Sequence, residues 1–344
     1  RDLHYPLRRQ RQMCIRDSRW TGIKCEEKPE CSTGDNLGAG TTALDLLKAM
    51  DICDFYDSGV PGSWGIVPGS AVIGKANHPV DPRSVDEKQY GVKTNFGTDL
   101  SNIPIFGDNM AILSSGRARD ANDDLFPTEE ESYEYETGNP PADFVAPYGG
   151  SLPVTKEGCP SGVEANDSVL LQVKLKVPLF AHSFSFDFRF FSQEYLLYTC
   201  TKYNDFFIAM LDTAWEPEEE GDLPIPEDKN ISFDSSGNYI SVNSDQFFTV
   251  CQPKIGYTCP DGVSALAGTG YPSSNAGATK WLTTTAPVIP GEIITLRFII
   301  WDTTDMEQDS LVLLDNFRWH ARPGAGPSTS VSYTHLTLPT KRIV

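Results

Sequence analysis

Acidic side chains cluster late in the chain, between two apolar segments. Asp302, Asp305 and Asp309 fall within eight residues, and Asp315 follows. Ca²⁺ takes about six to eight oxygen ligands in a flexible geometry, and a carboxylate-rich loop between strands can supply them. We therefore expect a calcium site here. An earlier aromatic and acidic segment offers the remaining ligands: Glu194, Asn204 and Asp205.

Asp315 has the same strand parity as the apolar side chains of residues 311–319. Side chains two apart on a strand point to the same face, so we expect Asp315 to face an apolar interior. A carboxylate in such a place must be neutralised, paired or bound to metal.

Two other interpretations of these acids stay open. The first is a solvated acidic loop in which one Asp caps backbone N–H groups. The second is catalysis, because Glu194 with Asp205 or Asp302 has the residue types of the acid and base of a glycoside hydrolase. None of the internal histidines lies near a G-x-S-x-G nucleophile motif. We favour a role without catalysis.

A second acidic stretch, residues 119–131, resembles part of an EF-hand loop. Its oxygen-bearing side chains take positions 1, 3, 5 and 12: Asp120, Asn122, Asp124 and Glu131. Leu125 stands at position 6, where the loop requires Gly, and a Pro follows. We therefore interpret this stretch as an acidic loop.

Composition narrows the range of partners. The 344 residues include 28 Lys and Arg against 47 Asp and Glu, which gives a formal net charge of −19. That balance argues against nucleic acid or an anionic membrane as the main partner. The fragment contains no run of about 18 or more apolar residues, so we predict no transmembrane segment in it.

The two ends of the chain read as translated sequencing adapter. Residues 8–17 are RRQRQMCIRD and residues 331–340 are VSYTHLTLPT. One codon choice for the first segment has a reverse complement that translates to the second. We therefore treat residues 1–18 and 331–344 as non-native, and expect a fragment cut at both ends. A missing signal peptide is then no evidence for a cytoplasmic protein.

The internal cysteines indicate an extracellular protein. They have no zinc-ligand spacing and lie partly in polar, turn-rich stretches, which favours disulfides over buried free thiols. Cys25 and Cys31 are close enough in sequence to close a short loop, as are Cys251 and Cys259. The sequence does not fix the pairing. The disulfide candidates are Cys25, Cys31, Cys53, Cys159, Cys200, Cys251 and Cys259.

One helix and a series of strands must position these residues. Residues 41–53 have a helical apolar pattern, with Thr42 and Asp45 spaced as an N-terminal cap. Apolar and polar residues alternate over 171–177 and over 184–190, which is typical of strands with one dry and one wet face.

Further strands follow towards the C-terminus. Residues 205–212 are a candidate for a fully buried strand, and residues 231–243 read as a hairpin. The last two strands are expected at 294–302 and 310–319. Many strands with almost no helix predict a mainly β protein: an antiparallel, jelly-roll-like β-sandwich with one short N-terminal helix and long acidic loops.

We divide residues 19–330, which remain after the adapter-like ends are excluded, into five parts. Residues 19–40 and 321–330 are predicted linkers, rich in turn-forming residues. Residues 41–118 are expected to pack on or extend the sandwich, and residues 119–164 form an acidic loop region. The sandwich itself is assigned to residues 165–320.

Three motifs resemble the choice-of-anchor L domain family. Residues 184–212 carry an aromatic strand, then SQEY and NDFF, and residues 290–319 carry PGE, DTTDMEQDS and LDNF. WLTTTAPV at 281–288 is similar as well. The chain resembles a long variant found in myxobacterial surface proteins, which also has the S-S-G-x-A segment seen at 114–118. Gln193 departs from the family pattern S-E-E-Y.

The resemblance implies a secreted or surface-anchored bacterial protein. Together with the acidic residues, it leads us to expect a binding or adhesion module stabilised by Ca²⁺. The identity of its surface ligand is unknown, and both a glycan and a protein remain candidates. A secreted glycan-acting hydrolase and a purely structural surface element remain alternatives.

Overall fold

The computed structural model describes residues 12–15, 24–27, 31, 34–38, 40–77, 85–124, 136–244, 246–253, 256–271 and 275–332. Most of the adapter-like ends, Leu125 and Glu131 of the EF-hand comparison, and the side chain of Cys25 lie outside this part of the chain. The chain divides into two compact units, residues 1–31 and 32–344. In the first unit, β1 (Gln12–Ile15) and β2 (Lys24–Glu27) pair antiparallel.

Short and long strands make up the second unit, with two short helices, α1 (Ala43–Ala49) and α2 (Ala142–Val145). The strands, in chain order, are β3 (Asn36–Leu37), β4 (Gly65–Ile66), β5 (Val72–Gly74), β6 (Tyr90–Lys93), β7 (Met110–Ser114), β8 (Ala165–Lys176), β9 (Ser183–Ser192), β10 (Phe206–Asp212), β11 (Ile240–Ser241), β12 (Phe248–Cys251), β13 (Gly277–Thr279), β14 (Leu282–Pro287), β15 (Ile293–Thr303), β16 (Ser310–His320) and β17 (Ser328–Val331).

The strands form two antiparallel sheets. Within the described residues, one sheet has six strands in the order β11-β10-β15-β8-β4, with β5 also paired to β8. The other has nine, in the order β12-β13-β9-β16-β7-β6-β3, and β9 also pairs with β14, which in turn pairs with β17. The predicted mainly β, sandwich-like class is confirmed.

The main core lies between the two sheets. Alternate residues of β9 project inward, and their Phe rings meet apolar side chains of β8, β10 and β15. Phe186 meets Phe298 edge-on at 4.9 Å between ring centroids, and Phe188 meets Phe207 at 4.8 Å. The period of two in the sequence therefore identified the inward-facing Phe residues correctly.

The alternation over residues 171–177 is confirmed, because Lys174 of β8 is exposed between buried apolar residues, whereas other parts of both outer faces are covered, which the alternation did not predict. All ten residues of β9 are buried, including its outward-facing Asp187 and Arg189. Arg189 donates to the carbonyl oxygens of Thr279 and Ser101 and to the Asn102 side chain. The expected wet face of β9 is thus wrong, because loop segments cover it and supply hydrogen bonds in place of water.

The outer face of the six-stranded sheet is covered by α2. Phe144 of this helix packs edge-on against Phe206, Tyr239 and Trp301. The apolar residues on both faces of β10 explain its uninterrupted hydrophobic sequence.

The helix prediction was correct, whereas two other local predictions need revision. Thr42 and Asp45 form a reciprocal capping box at the start of α1. Residues 231–243 do not form a full hairpin: Phe233 and Tyr239 make a single bridge, and β11 pairs with β10 instead. In the predicted C-terminal linker, residues 328–330 begin β17 and bond to β14, because a Ser/Thr-rich segment suits an edge strand.

The Phe core predicts a large effect of truncation at its centre. Phe186→Ala should lower the free energy of unfolding by about 3–5 kcal/mol, because it removes buried contacts and leaves a cavity. Urea denaturation would measure the change. Leu100→Ala is the matched control, since Leu100 is 81% exposed. Equal effects of the two substitutions would contradict the assigned core.

Candidate metal centre

Four buried carboxylates meet between the ends of strands from both sheets. Glu194 follows β9 and Asp309 precedes β16 of the nine-stranded sheet, while Asp205 precedes β10 and Asp302 lies on β15 of the six-stranded sheet. Each residue is at most 2% exposed. We call these four residues the acidic cluster. The structure brings together four of the seven predicted metal ligands in it.

Asp205 links the two sheets within the cluster. Its backbone N–H donates to Glu194 Oε2 at 3.2 Å. Its Oδ1 accepts the backbone N–H of Thr303 at 3.0 Å, and its Oδ2 accepts the hydroxyl of Ser310 at 2.5 Å. These bonds fix the orientation of the Asp205 carboxylate.

Asp302 has no comparable support. Both of its carboxylate oxygens are buried and lack a hydrogen-bond partner of good geometry, although the Ser115 hydroxyl and the Asp205 carboxyl group lie nearby. The neighbouring Ser115 hydroxyl donates instead to the carbonyl of Ser310 at 3.2 Å. Among the described residues, no Lys or Arg forms an ion pair with Glu194, Asp205 or Asp302.

Burial and mutual repulsion change the protonation of these acids. Desolvation raises the pKa of Asp205 to about 7. Desolvation and the charge of Asp205 raise the pKa of Glu194 and that of Asp302 well above their usual values. The cluster must therefore hold protons near neutral pH or bind a cation that replaces them.

Gly116 makes room for the fourth acid. A Cβ atom at this position would lie 1.9 Å from Oδ2 of Asp309. Just before it, the hydroxyl groups of Ser114 and Ser115 donate to the carbonyl of Ser310, and Ser310 N–H donates to the Ser115 hydroxyl. The S-S-G segment thus holds the start of β16 against β7 and leaves space for the Asp309 carboxylate.

Two residues beside the cluster were missed in the sequence. Tyr271 is fully buried, and desolvation followed by the charge of Asp309 raises its pKa well above the usual value. Asp167 is also buried and repels Asp302. Tyr271 follows a Gly-rich stretch without strand periodicity, and Asp167 adopts a φ of 49° at the start of β8, so neither carries a sequence signal.

The other predicted ligands lie around the cluster or apart from it. Asn204 bonds through its side chain to Thr155 and to the N–H of Asn243. Asp305 is only half-buried, and desolvation raises its pKa. Its charge acts on both Glu194 and Asp205, which places it at the rim.

Asp315 lies in a different environment, beneath a loop on the outer face of its sheet. Its Oδ2 accepts the backbone N–H groups of Ile105 and Phe106. This matches the alternative in which one Asp caps backbone N–H groups. The prediction that Asp315 shares a face with the apolar side chains of residues 311–319 is only partly correct. A bulge at Asn316, where φ is 57°, turns Phe317 to the opposite face.

In the second acidic stretch, the carboxylates are paired with a lysine from β6. Lys93 is 2% exposed, and its Nζ contacts Asp120 at 3.1 Å and Asp123 at 2.8 Å. Asp120 also accepts the backbone N–H groups of Gly97 and Asn122. The ammonium group neutralises these carboxylates, in contrast to Glu194, Asp205 and Asp302 of the acidic cluster.

Disulfides hold the surrounding loops. Cys159 pairs with Cys200, and Cys251 pairs with Cys259 as the short spacing allowed. Cys31 and Cys53 are also disulfide-bonded. No cysteine in the described part of the chain is a free thiol, so the alternative of buried thiols is wrong there.

The acidic cluster is not a preformed metal cage. No three acidic, imidazole or thiolate side chains of the described residues converge on one point. A cation would have to draw the carboxylates inward by side-chain rotation. The flexible coordination of Ca²⁺ tolerates this better than the strict octahedron of Mg²⁺.

Comparison with known proteins gives one match. A sequence model of the choice-of-anchor L domain matches residues 81–317, which include the whole acidic cluster and both loop disulfides. No curated protein matches the chain. No helix in the described ranges has the length and hydrophobicity needed to cross a bilayer.

Because these pKa values are raised, we expect the free energy of unfolding to fall as pH rises when calcium is chelated. Glu194, Asp205 and Asp302 keep protons in the folded state that the unfolded chain loses above about pH 4. The free energy of unfolding should therefore fall as pH rises from about 4 through about 7, the pKa of Asp205. Urea denaturation in excess chelator at several pH values would measure it.

Asp302→Asn is the matched variant for this experiment. It removes one buried charge without removing a hydrogen bond of good geometry, so the fall with pH should become shallower. Asp305→Asn, at the half-buried rim, should change it less. A pH profile of the wild type that is flat or rising across this range would contradict the assignment.

Proposed function

The chain belongs to the choice-of-anchor L domain family, and from this premise and the acidic cluster we propose that it is a calcium-stabilised binding module of the bacterial cell surface. The family indicates a surface-associated bacterial protein. The disulfides support an extracellular or surface location, because such bonds persist in oxidising compartments.

The observation that carries the calcium proposal is the pair of unbonded oxygens on Asp302. A buried carboxylate without a partner is costly, and the cost rises when further carboxylates lie beside it. A divalent cation bound by Glu194, Asp205, Asp302 and Asp309 would remove that cost. An all-oxygen ligand set favours Ca²⁺ over softer metals.

The position of the cluster suggests what the ion would do. Its acids come from both sheets, so a bound cation would join the sheets and hold the loops that leave them. Those loops expose apolar side chains, with Val163 70% and Leu197 53% exposed. We propose that calcium stabilises these loops as a binding surface for a glycan or protein ligand.

Burial weighs against the hydrolase alternative. Glu194 and Asp205 have raised pKa values suited to an acid catalyst, yet each is only 1% exposed. A polymeric glycan could reach these carboxyl groups only after the loops above them open.

Thermal melting of the full chain tests the proposal. With Ca²⁺ at about one hundred times its Kd, the stabilisation would be about 2.7 kcal/mol, and Tm should rise by about 5 °C over the value in chelator. Mg²⁺ at the same concentration should give a much smaller rise. Asp302→Asn and Asp309→Asn should abolish the calcium-dependent gain.

Asp123→Asn is the control variant. It removes a partly buried carboxylate that Lys93 already neutralises, so it should lower Tm equally with and without calcium. Superimposable melts of the wild type in Ca²⁺ and in chelator would refute the calcium proposal. A gain that survives in Asp302→Asn would place the ion elsewhere.

A further inference from the structure

Three segments meet above the acidic cluster: residues 155–164, 196–204 and 303–309. We call them the lid. Segment 196–204 lies between Glu194 and Asp205 in the chain. Segment 303–309 follows Asp302 directly and ends at Asp309. The lid is therefore the route by which an ion would enter or leave.

The first segment of the lid packs closely on the third. Gly162 lies so near Thr303 that a Cβ atom would approach its Cγ2 to 1.9 Å. The backbone N–H of Val163 donates to Thr304 Oγ1 at 3.2 Å, and that hydroxyl donates to the carbonyl of Lys202 at 2.9 Å. One threonine thus connects all three segments.

The first and second segments are also connected through side chains. Thr155 Oγ1 accepts hydrogen bonds from the amides of Asn204 and Asn243, both at 2.8 Å. Asn243 Oδ1 in turn accepts the backbone N–H of Cys200 at 2.6 Å. Asn204 immediately precedes Asp205, so this network ends at the cluster.

One covalent bond joins these two segments, the disulfide between Cys159 and Cys200. Cys200 is exposed and adopts a φ of 59°. The Cys251–Cys259 disulfide differs in accessibility, because Cys251 is 1% and Cys259 3% exposed. A reductant in solution therefore reaches the lid disulfide before the Cys251–Cys259 disulfide.

We propose that the Cys159–Cys200 disulfide is a redox-sensitive latch that retains the cation in the acidic cluster. This inference rests on the proposed calcium site. With the bond intact, the hydrogen bonds of Thr155 and Thr304 hold the lid closed. Without it, segment 155–164 is tethered only by these exchangeable contacts and opens more often, so the ion leaves faster.

The opening reaction is thiol–disulfide exchange with a dithiol. A thiolate of the dithiol attacks Cys200 Sγ, which breaks the bond to Cys159 and forms a mixed disulfide. The second thiol of the reductant then displaces Cys200 and closes a cyclic disulfide. The protein gains two electrons and two protons as two thiols, and the dithiol loses the same number.

The rate of calcium release tests the latch. The calcium-loaded full chain is mixed with excess fluorescent chelator in a stopped-flow instrument. We expect Cys159→Ser with Cys200→Ser to release Ca²⁺ about tenfold faster than the wild type or more, because lid opening becomes easier. The control pair, Cys251→Ser with Cys259→Ser, should stay within about twofold of the wild type.

A second measurement avoids any folding defect of the variants. The wild type is treated with dithiothreitol under native conditions, and alkylation with mass spectrometry identifies the reduced cysteines. Calcium release should accelerate as Cys159 and Cys200 become alkylated, before Cys251 and Cys259 do.

The outcomes separate the two proposals. A wild type that binds no calcium overturns the metal site and the latch with it. A wild type that binds calcium and releases it at the same rate after loss of the lid disulfide overturns the latch alone. Equal acceleration by both pairs of serine variants also overturns it, because the effect would then be general destabilisation.

Discussion

The burial of four carboxylates at one place between the sheets is the constraint on which this structure depends. Moving one charge out of water costs several kcal/mol after relaxation, and Glu194, Asp205, Asp302 and Asp309 are almost inaccessible. The fold meets part of that cost through Thr303 and Ser310, which bond to Asp205. For Glu194, Asp205 and Asp302, protonation, reflected in their raised pKa values, or a bound cation must meet the rest. The Lys93 pair with Asp120 and Asp123 shows how the same chain neutralises acids when it supplies the cation itself.

The surrounding architecture places the cluster where an ion can affect both sheets. Apolar side chains fill the space between the sheets, and loops and α2 cover parts of the outer faces. Removing the cost of the buried charges would stabilise both sheets and the lid at once. A binding surface on that lid would then depend on the ion without contacting it.

Much of the fold follows from local patterns, whereas the details of the site depend on distant contacts. The alternating Phe residues of β9 and the Thr42 cap are local features, and both were predicted. The burial of Arg189 was not, because Ser101 and Asn102 cover it from a segment without periodicity. Gly116 shows its role only beside Asp309, far along the chain. The bulge at Asn316 reverses the parity on which the placement of Phe317 relied.

Calorimetric titration of Ca²⁺ into the full chain, in buffers of different ionisation enthalpy near pH 6.5, tests the central claim most directly. Metal can bind these acids only after their protons leave. We expect one calcium per chain with a net release of about one proton or more, since the pKa of Asp205 is about 7 and those of Glu194 and Asp302 are also raised. Absence of binding would contradict it. Binding without proton release would assign the ion to exposed acidic loops instead of the acidic cluster.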